Sequence, residues 1–390
     1  MVKDDSAKAG EKPKTPLPLL IHRLIENYVI RKTEEKSGLK WEDFKDKKTK
    51  DKTMRPFIFD SAATPQEAIE TAQAWSGGTH GAAHFLAGGT TLIDLMKLDV
   101  MRPERLIDIN ALGSSDFGRI VFGEGGLWMG ALVRMADAAE HPQINREFPA
   151  IAQSLRLAAS QQIRNMASLG GNVLQRTRCP YFRDVSYREC NKRDPGSGCA
   201  ALNGFSRSHA VLGTSDQCIA SYPGDLAQAL VALDAMVDVA GPSGLRRMPF
   251  AELHRQPQSQ PEIETVLQPG ELIMSFFVPA APWARRSVFL KVRDRESYEF
   301  ALASAAVGLD LSNGVVRDAR IALGGVATVP WRAAEAEAVL KGTVLDEAAQ
   351  DAAARAAFSG AHAREHNGFK IELGKRTLKR ALAQAAVMEI

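Results

Sequence analysis

From Met54 onward, short apolar runs alternate with stretches of helical period, and the pattern predicts an α+β chain. Residues 57–59 read as a strand. Thr64, Pro65 and Glu67 then supply an N-cap, a first-turn proline and a capping-box acid for a helix over 65–75, which Ser76-Gly77-Gly78 ends. Phe85 and Leu86 form the next strand, Gly88-Gly89 a turn, and Leu92, Leu95, Met96 and Val100 fall at helical spacing. A second block has a strand over 105–109, a hairpin around Glu124-Gly125-Gly126, helical stretches over 135–140 and 150–159, and a loop over 168–172. Asp225 opens a helix through Leu226, Leu230 and Leu233. Beyond Pro279-Ala280-Ala281-Pro282 come a strand over 288–292, a strand pair turning at Ser312-Asn313-Gly314, and alanine-rich helices to the end. There is no internal repeat.

Two tracts depart from this pattern. Residues 1–53 carry 14 Lys and Arg against 10 Asp and Glu, leaving 35 against 36 for the rest, so the formal charge of +3 is local to an extension of unknown role. A neutral body gives no basic face for nucleic acid. No apolar run approaches the ~20 residues of a membrane span. The best leader candidate, over 16–30, is broken by His22, Arg23 and Glu26 and is expected to fail as a signal peptide. The second tract, 175–218, has no apolar periodicity yet holds all four cysteines, and such a length is unusual for a plain loop. With 390 residues, 45% hydrophobic and 24% charged, the chain otherwise sits at the average for folded proteins. The expected division is 1–53, 54–280 with the insertion 175–218, and 283–390.

Candidate chemistry begins at the two glycine loops. Ala87-Gly88-Gly89-Thr90-Thr91, between a strand and a helix, lets backbone N–H groups approach a phosphate, and Ser168-Leu169-Gly170-Gly171-Asn172 offers a second nest. Neither fits G-x-G-x-x-G or G-x-x-x-x-G-K-[ST], which disfavours a Rossmann nicotinamide site and a P-loop. Cys179, Cys190, Cys199 and Cys218 follow C-x10-C-x8-C-x18-C. Zinc knuckles with C-x2–4-C pairs are absent, disulfides need an oxidising compartment, and an iron–sulfur cluster needs four thiolates at spacings that vary by family; spacing alone leaves these open. Around them stand Arg176, Arg178, Arg183, Arg188, Lys192, Arg193 and Arg207 against four acids, either a shell offsetting a cluster's charge or a solvated surface. His362-Ala363-Arg364-Glu365-His366 spells H-x-x-E-H, but a downstream ligand is wanting and a polar helix-to-helix segment is the plainer reading. No G-x-S-x-G occurs.

Taken together, residues 87–92 with Asp94, Met96 and Lys97, Gly130-Ala131, residues 168–172, Leu323-Gly324-Gly325-Val326 and Pro330-Trp331-Arg332 resemble the flavin-binding subunit of the molybdenum hydroxylases, the xanthine dehydrogenase and aldehyde oxidoreductase family. The resemblance spans essentially all of 54–390. It implies a two-subdomain FAD-binding domain followed by a C-terminal α+β domain. FAD contacts carry over onto His84, Phe85, Leu86, Ala87, Gly88, Gly89, Thr90, Thr91 and Leu92 for the pyrophosphate, and onto Ser168, Leu169, Gly170, Gly171 and Asn172 toward the flavin. Asp225, Ile273 and Lys291 match further contacts. The cysteine insertion is similar to that of the bacterial periplasmic aldehyde oxidoreductase flavin subunits, which implies that Cys179, Cys190, Cys199 and Cys218 ligate a [4Fe–4S] cluster.

The implied function is electron transfer: a large molybdenum-cofactor subunit oxidises an aldehyde, a small [2Fe–2S] subunit relays electrons, and FAD here passes them to an external acceptor. No NAD site is recognisable. Periplasmic location by co-export with a partner bearing a twin-arginine signal is expected, and cytoplasmic location otherwise. The alternatives are a stand-alone flavin oxidoreductase and an interaction protein built on a four-cysteine zinc site.

Overall fold

The computed structural model describes residues 54–75 and 83–390. The extension 1–53 and the expected helix stop at Ser76-Gly77-Gly78 lie outside the described residues. The first layer is a parallel three-stranded sheet of β1 (Ile58–Ser61), β2 (Ala83–Leu86) and β3 (Arg105–Asp108), with β3 in the centre. Between β1 and β2 runs α1 (Pro65–Ala74). Thr64 Oγ1 accepts from Glu67 N at 3.2 Å and Glu67 Oε2 from Ala63 N at 2.8 Å, a complete capping box. Its apolar face, Ala68, Ile69 and Ala72, packs with Ile107, Ile109 and Leu112. Following β2 and the glycine turn, α2 (Leu92–Lys97) is shorter than its spacing suggested, because Asp99 takes a positive φ of 57°.

A second, antiparallel sheet has the order β4-β5-β8-β6-β7, built from β4 (Ile120–Gly123), β5 (Gly126–Gly130), β6 (Met236–Gly241), β7 (Gly244–Pro249) and β8 (Leu272–Pro279). The sequence pattern predicted the β4–β5 hairpin but not β6, β7 and β8. Against this sheet pack the helices α3 (Met135–Glu140), α4 (Pro142–Glu147), α5 (Pro149–Leu157), α6 (Gln161–Met166), α7 (Leu169–Val173) and, after the cysteine segment with its short α8 (Pro180–Arg183), α9 (Leu226–Ala232). The expected loop over 168–172 is therefore mostly helix. Ser168 supplies its N-cap, its Oγ accepting from Gly171 N at 3.1 Å.

The third sheet is antiparallel in the order β12-β11-β10-β9, from β9 (Ser287–Val292), β10 (Ala303–Ser312), β11 (Val315–Gly324) and β12 (Trp331–Arg332). The β10–β11 turn has Asn313 at φ 50° and Gly314 at φ 78°, the doubly left-handed turn that suits strand twist. This sheet is buried on both faces. Phe289, Ala306 and Ala322 point into the core under α5 and α9, while Ala305, Val307 and Leu309 face α10 (Ala334–Leu340), α11 (Glu347–Ala357) and α12 (Phe369–Ala386). Period-two alternation between two apolar faces reads as an unbroken hydrophobic run, which β10 shows.

Candidate functional site

In parallel sheets ligands bind beyond the carboxyl ends of the strands, and the glycine turn after β2 sits at such an end. It opens on a cavity of about 980 Å³ lined by residues 83–92, by Ser168 and Gly171 of the second loop, and by the stretch 262–271. Gly89 has φ 71°, the left-handed region that favours glycine. Thr91 makes no side-chain cap to α2, and in its first turn the Ile93 N–H donates to Gly89 O at 3.1 Å, which ties the helix start to the glycine turn.

The two loops touch through Gly88. A Cβ there would stand 2.0 Å from the Met166 carbonyl oxygen, so only glycine permits the approach. Arg134 and Asn110 then lock the pair. Arg134 donates to Met166 O at 2.6 Å and to Asn110 Oδ1 at 3.0 Å, and Asn110 Nδ2 donates to Ala87 O at 3.0 Å. Sequence reasoning missed both residues, because a single Asn and a single Arg outside any motif carry no local signal.

Of the other predicted contacts, Leu169 and Gly170 are buried beneath the second loop, and Gly170 N donates to Ala131 O at 2.8 Å. Asn172, Asp225, Ile273 and Lys291 do not line the cavity. Ile273 is 3% exposed in the core on β8. Asp225 and Lys291 form a buried ion pair at 2.7 Å, yet burial still raises the Asp225 carboxyl above its ordinary range. Asp225 Oδ1 and Asn172 Oδ1 are both buried without a partner, two acceptors that a bound group or a water would satisfy. His84, on the lining, is held below its ordinary pKa by burial and by Arg176.

The cysteine segment is irregular but not loose. Phe182, His209, Val211 and Ile219 are fully buried, and Phe182 packs with Leu95 of α2 and Cys190. Its basic side chains anchor it to the rest of the fold. Arg178 and Arg183 both reach Asp94 on α2, at 3.1 and 2.9 Å. Arg176 and Lys192 share Glu264, with Lys192 at 2.8 Å, and Arg207 reaches Asp294 at 2.8 Å. Arg193 donates to the carbonyls of Tyr181, Phe182 and Tyr187. The basic surplus is thus a set of clamps more than a shell around the thiols. Burial alone would raise Glu264, but the charges of Arg176 and Lys192 outweigh it and hold the carboxyl at about 2.

Cys179, Cys190, Cys199 and Cys218 line one small void, and none is in a disulfide. Cys190 and Cys199 face each other across an antiparallel bridge, with Asn191 N donating to Gly198 O at 2.7 Å and Ala200 N to Glu189 O at 2.9 Å. Burial pushes the Cys179 thiol up to about 12 and Cys218 to about 11, and raises Cys199. Backbone N–H groups work the other way at each: Phe182 and Tyr181 at Cys179, Ala220 at Cys218, Ala201, Ile219 and Leu202 at Cys199. Such thiols ionise only with a bound cationic centre, while their N–H donors suit sulfur that carries charge. Among the described residues no three His, Cys, Asp or Glu side chains stand close enough to hold a metal ion, so the thiols surround the void without meeting at one point. At the H-x-x-E-H segment, His366 packs its ring on Phe205 instead.

Among the described residues, no helix is long and apolar enough to cross a membrane. Residues 55–281 match the family model of the FAD binding domain in molybdopterin dehydrogenase, and 288–385 match the CO dehydrogenase flavoprotein C-terminal domain. A Type I-B CRISPR Cas8b C-terminal domain model also matches 1–71, which is too little of the chain to assign a family and overlaps the first match. The chain is 45% identical to the aldehyde oxidoreductase FAD-binding subunit PaoB of Escherichia coli (strain K12), over 85% of this chain and 99% of that one. It is 29% identical to the carbon monoxide dehydrogenase medium chain of Afipia carboxidovorans, over 70% and 76%. The solved carbon monoxide dehydrogenase of Hydrogenophaga pseudoflava superposes with a TM-score of 0.66 at 25% identity, covering 85% of this chain and 98% of that chain. With a cavity lined by residues of both glycine loops, and with matches over nearly all of 54–390, the chain belongs to the FAD-binding oxidoreductase subunits of the molybdenum hydroxylase family.

Proposed function

We propose that this chain is the FAD- and [4Fe–4S]-binding electron-transfer subunit of a molybdenum-dependent aldehyde oxidoreductase. On this reading a large molybdenum-cofactor subunit oxidises the aldehyde, a small [2Fe–2S] subunit relays the electrons, and this chain delivers them to an external acceptor. The observation that carries it is the adjacency of two sites in one chain: Lys192, Cys218 and Ala220 line both the glycine-loop cavity and the four-thiol void. The likeness to an aldehyde oxidoreductase FAD-binding subunit supports the substrate class.

Bound FAD supplies a carrier that accepts electrons in pairs and releases them singly or in pairs. Gly88 and Gly89 expose backbone N–H groups to the pyrophosphate, the Arg134–Asn110 clamp fixes the spacing of the two loops, and Ser168 holds the second loop by capping α7. Four cysteine thiolates are the usual holders of a [4Fe–4S] cluster, and Cys179, Cys190, Cys199 and Cys218 line one void here. The proposed location is the periplasm, reached by co-export with a partner carrying a twin-arginine signal. Recovery of the assembled complex from the cytosolic fraction alone would contradict that location.

Aldehyde added to the assembled complex is expected to bleach the flavin absorbance, and aldehyde added to the isolated chain is expected to leave it unchanged. Bleaching of the isolated chain would make it a stand-alone flavin oxidoreductase. A colourless chain holding zinc would make it the interaction protein.

A further inference from the structure

One buried side chain meets a thiol without belonging to the four. His209 is 1% exposed, and its Nε2 lies 3.1 Å from Cys179 Sγ. Its other ring nitrogen, Nδ1, is buried with no hydrogen-bond partner. A neutral imidazole has one N–H and one bare nitrogen. A ligated thiolate carries no proton to donate, so with Cys179 in that state and no partner at Nδ1 the ring proton belongs on Nε2 and points at the sulfur.

The ring is also held in place. His209 N donates to Ser206 O at 2.9 Å, and its carbonyl accepts from Lys370 Nζ at 3.1 Å. Lys370 lies on α12 and is itself fully buried, donating further to Ser208 O at 3.2 Å and Gly325 O at 2.6 Å. Tyr181 packs beside the imidazole, ring centroids 6.0 Å apart. A buried lysine spanning three carbonyls is a rigid brace, so the C-terminal helix fixes the backbone that aims this imidazole.

We propose that His209 is a positioning residue that sets the reduction potential of the centre held by Cys179, by donating an Nε2–H···Sγ hydrogen bond. The inference rests on the reading of the four cysteines as cluster ligands. A hydrogen bond to ligand sulfur withdraws negative charge and favours the reduced state. Among the described residues the other hydrogen-bond donors at Cys179, Cys199 and Cys218 are backbone N–H groups, and Lys192 acts on Cys218 by charge, so His209 is the side-chain donor through which sequence tunes the potential.

The test is a redox titration of the full chain, followed by low-temperature electron paramagnetic resonance, for the wild type, His209→Leu and His209→Gln, with iron content measured alongside. The flavin potential in the same sample is the internal control. His209→Leu should keep its iron and shift the oxidised-to-reduced ratio at a fixed ambient potential by about tenfold toward oxidised, which is ~59 mV for a one-electron couple. His209→Gln, which keeps an amide donor, should stay near the wild type, and the flavin should not move. An unchanged potential in His209→Leu, or an equal shift in His209→Gln, overturns the proposal. If His209→Leu loses iron, retention in His209→Gln supports the donor role and loss from both overturns it. Absence of iron from the wild type removes the cluster reading itself, a result distinct from any of these.

Discussion

Replacing Gly88 by alanine tests the contact between the two glycine loops. The new Cβ would lie 2.0 Å from Met166 O, 2.7 Å from its carbonyl carbon and 3.2 Å from Ala167 Cα, all backbone atoms. Ordinary contact begins near 3.4 Å, so the loops must part by about 1.4 Å. No rotamer relieves this, because Arg134 pins the same carbonyl. Overpacking of this kind costs roughly 1–3 kcal/mol, and the absence of a flexible neighbour argues for the upper half. A displacement above 1 Å also stretches N–H···phosphate bonds beyond useful range. Losing two such bonds at ~1.4 kcal/mol each weakens FAD by about 100-fold. Gly89→Ala is the comparison: its positive φ costs about 1–2 kcal/mol, but its Cβ meets movable side chains, Ile93 Cγ1 at 3.1 Å and Leu86 Cδ1 at 3.5 Å. Titrating apo-protein with FAD by fluorescence, together with thermal melting, should rank Gly88→Ala as the weaker binder. A Gly88→Ala protein with unchanged melting and unchanged FAD affinity would refute the loop-contact argument.

Three further outcomes are expected. Arg134→Met removes the donor to Met166 O and to Asn110, so FAD affinity should fall about tenfold with the secondary structure intact by circular dichroism, since a hydrogen bond from a charged group is worth ~1.5–3 kcal/mol. Glu264, ordinarily near 4.5 and held at about 2, should give stability that is present above pH ~4.5 and lost as pH falls toward 2. With 27% of that side chain exposed, the contribution is discounted to ~2 kcal/mol, and urea melts across pH should show this component in the wild type and not in Glu264→Gln. Asp94→Asn should loosen the cysteine segment from α2, making 175–218 more protease-sensitive without changing FAD content, as limited proteolysis with flavin absorbance will show.

Local rules made part of this fold legible. The capping box at Thr64 and Glu67, the glycine turn after β2 and the Asn313-Gly314 hairpin all declare themselves within a few residues. Ser168 did not, because its cap bonds Gly171 N, and a glycine-rich first turn reads as loop until the bond is seen. The strand β8 escaped because what makes it a strand is its pairing with β5 and β6, far off in sequence, whereas β6 and β7 form a local hairpin that the sequence pattern did not reveal. For the cysteine segment, composition announced an unusual tract but not its burial, since Phe182 finds its partners on α2 and Arg176 and Lys192 find Glu264 beyond β7. The glycine-loop residues were readable from motif; Arg134 and Asn110, which hold the loops together, became visible only in three dimensions.

The most direct test of the account is iron and flavin analysis of the purified chain and of Cys199→Ser, with low-temperature electron paramagnetic resonance after reduction. One FAD and about four irons per wild-type chain are expected, with a reduced-cluster signal, and loss of the iron with retention of FAD in Cys199→Ser. Full iron content in Cys199→Ser, or a wild-type chain carrying FAD with two disulfides and no iron, would contradict it.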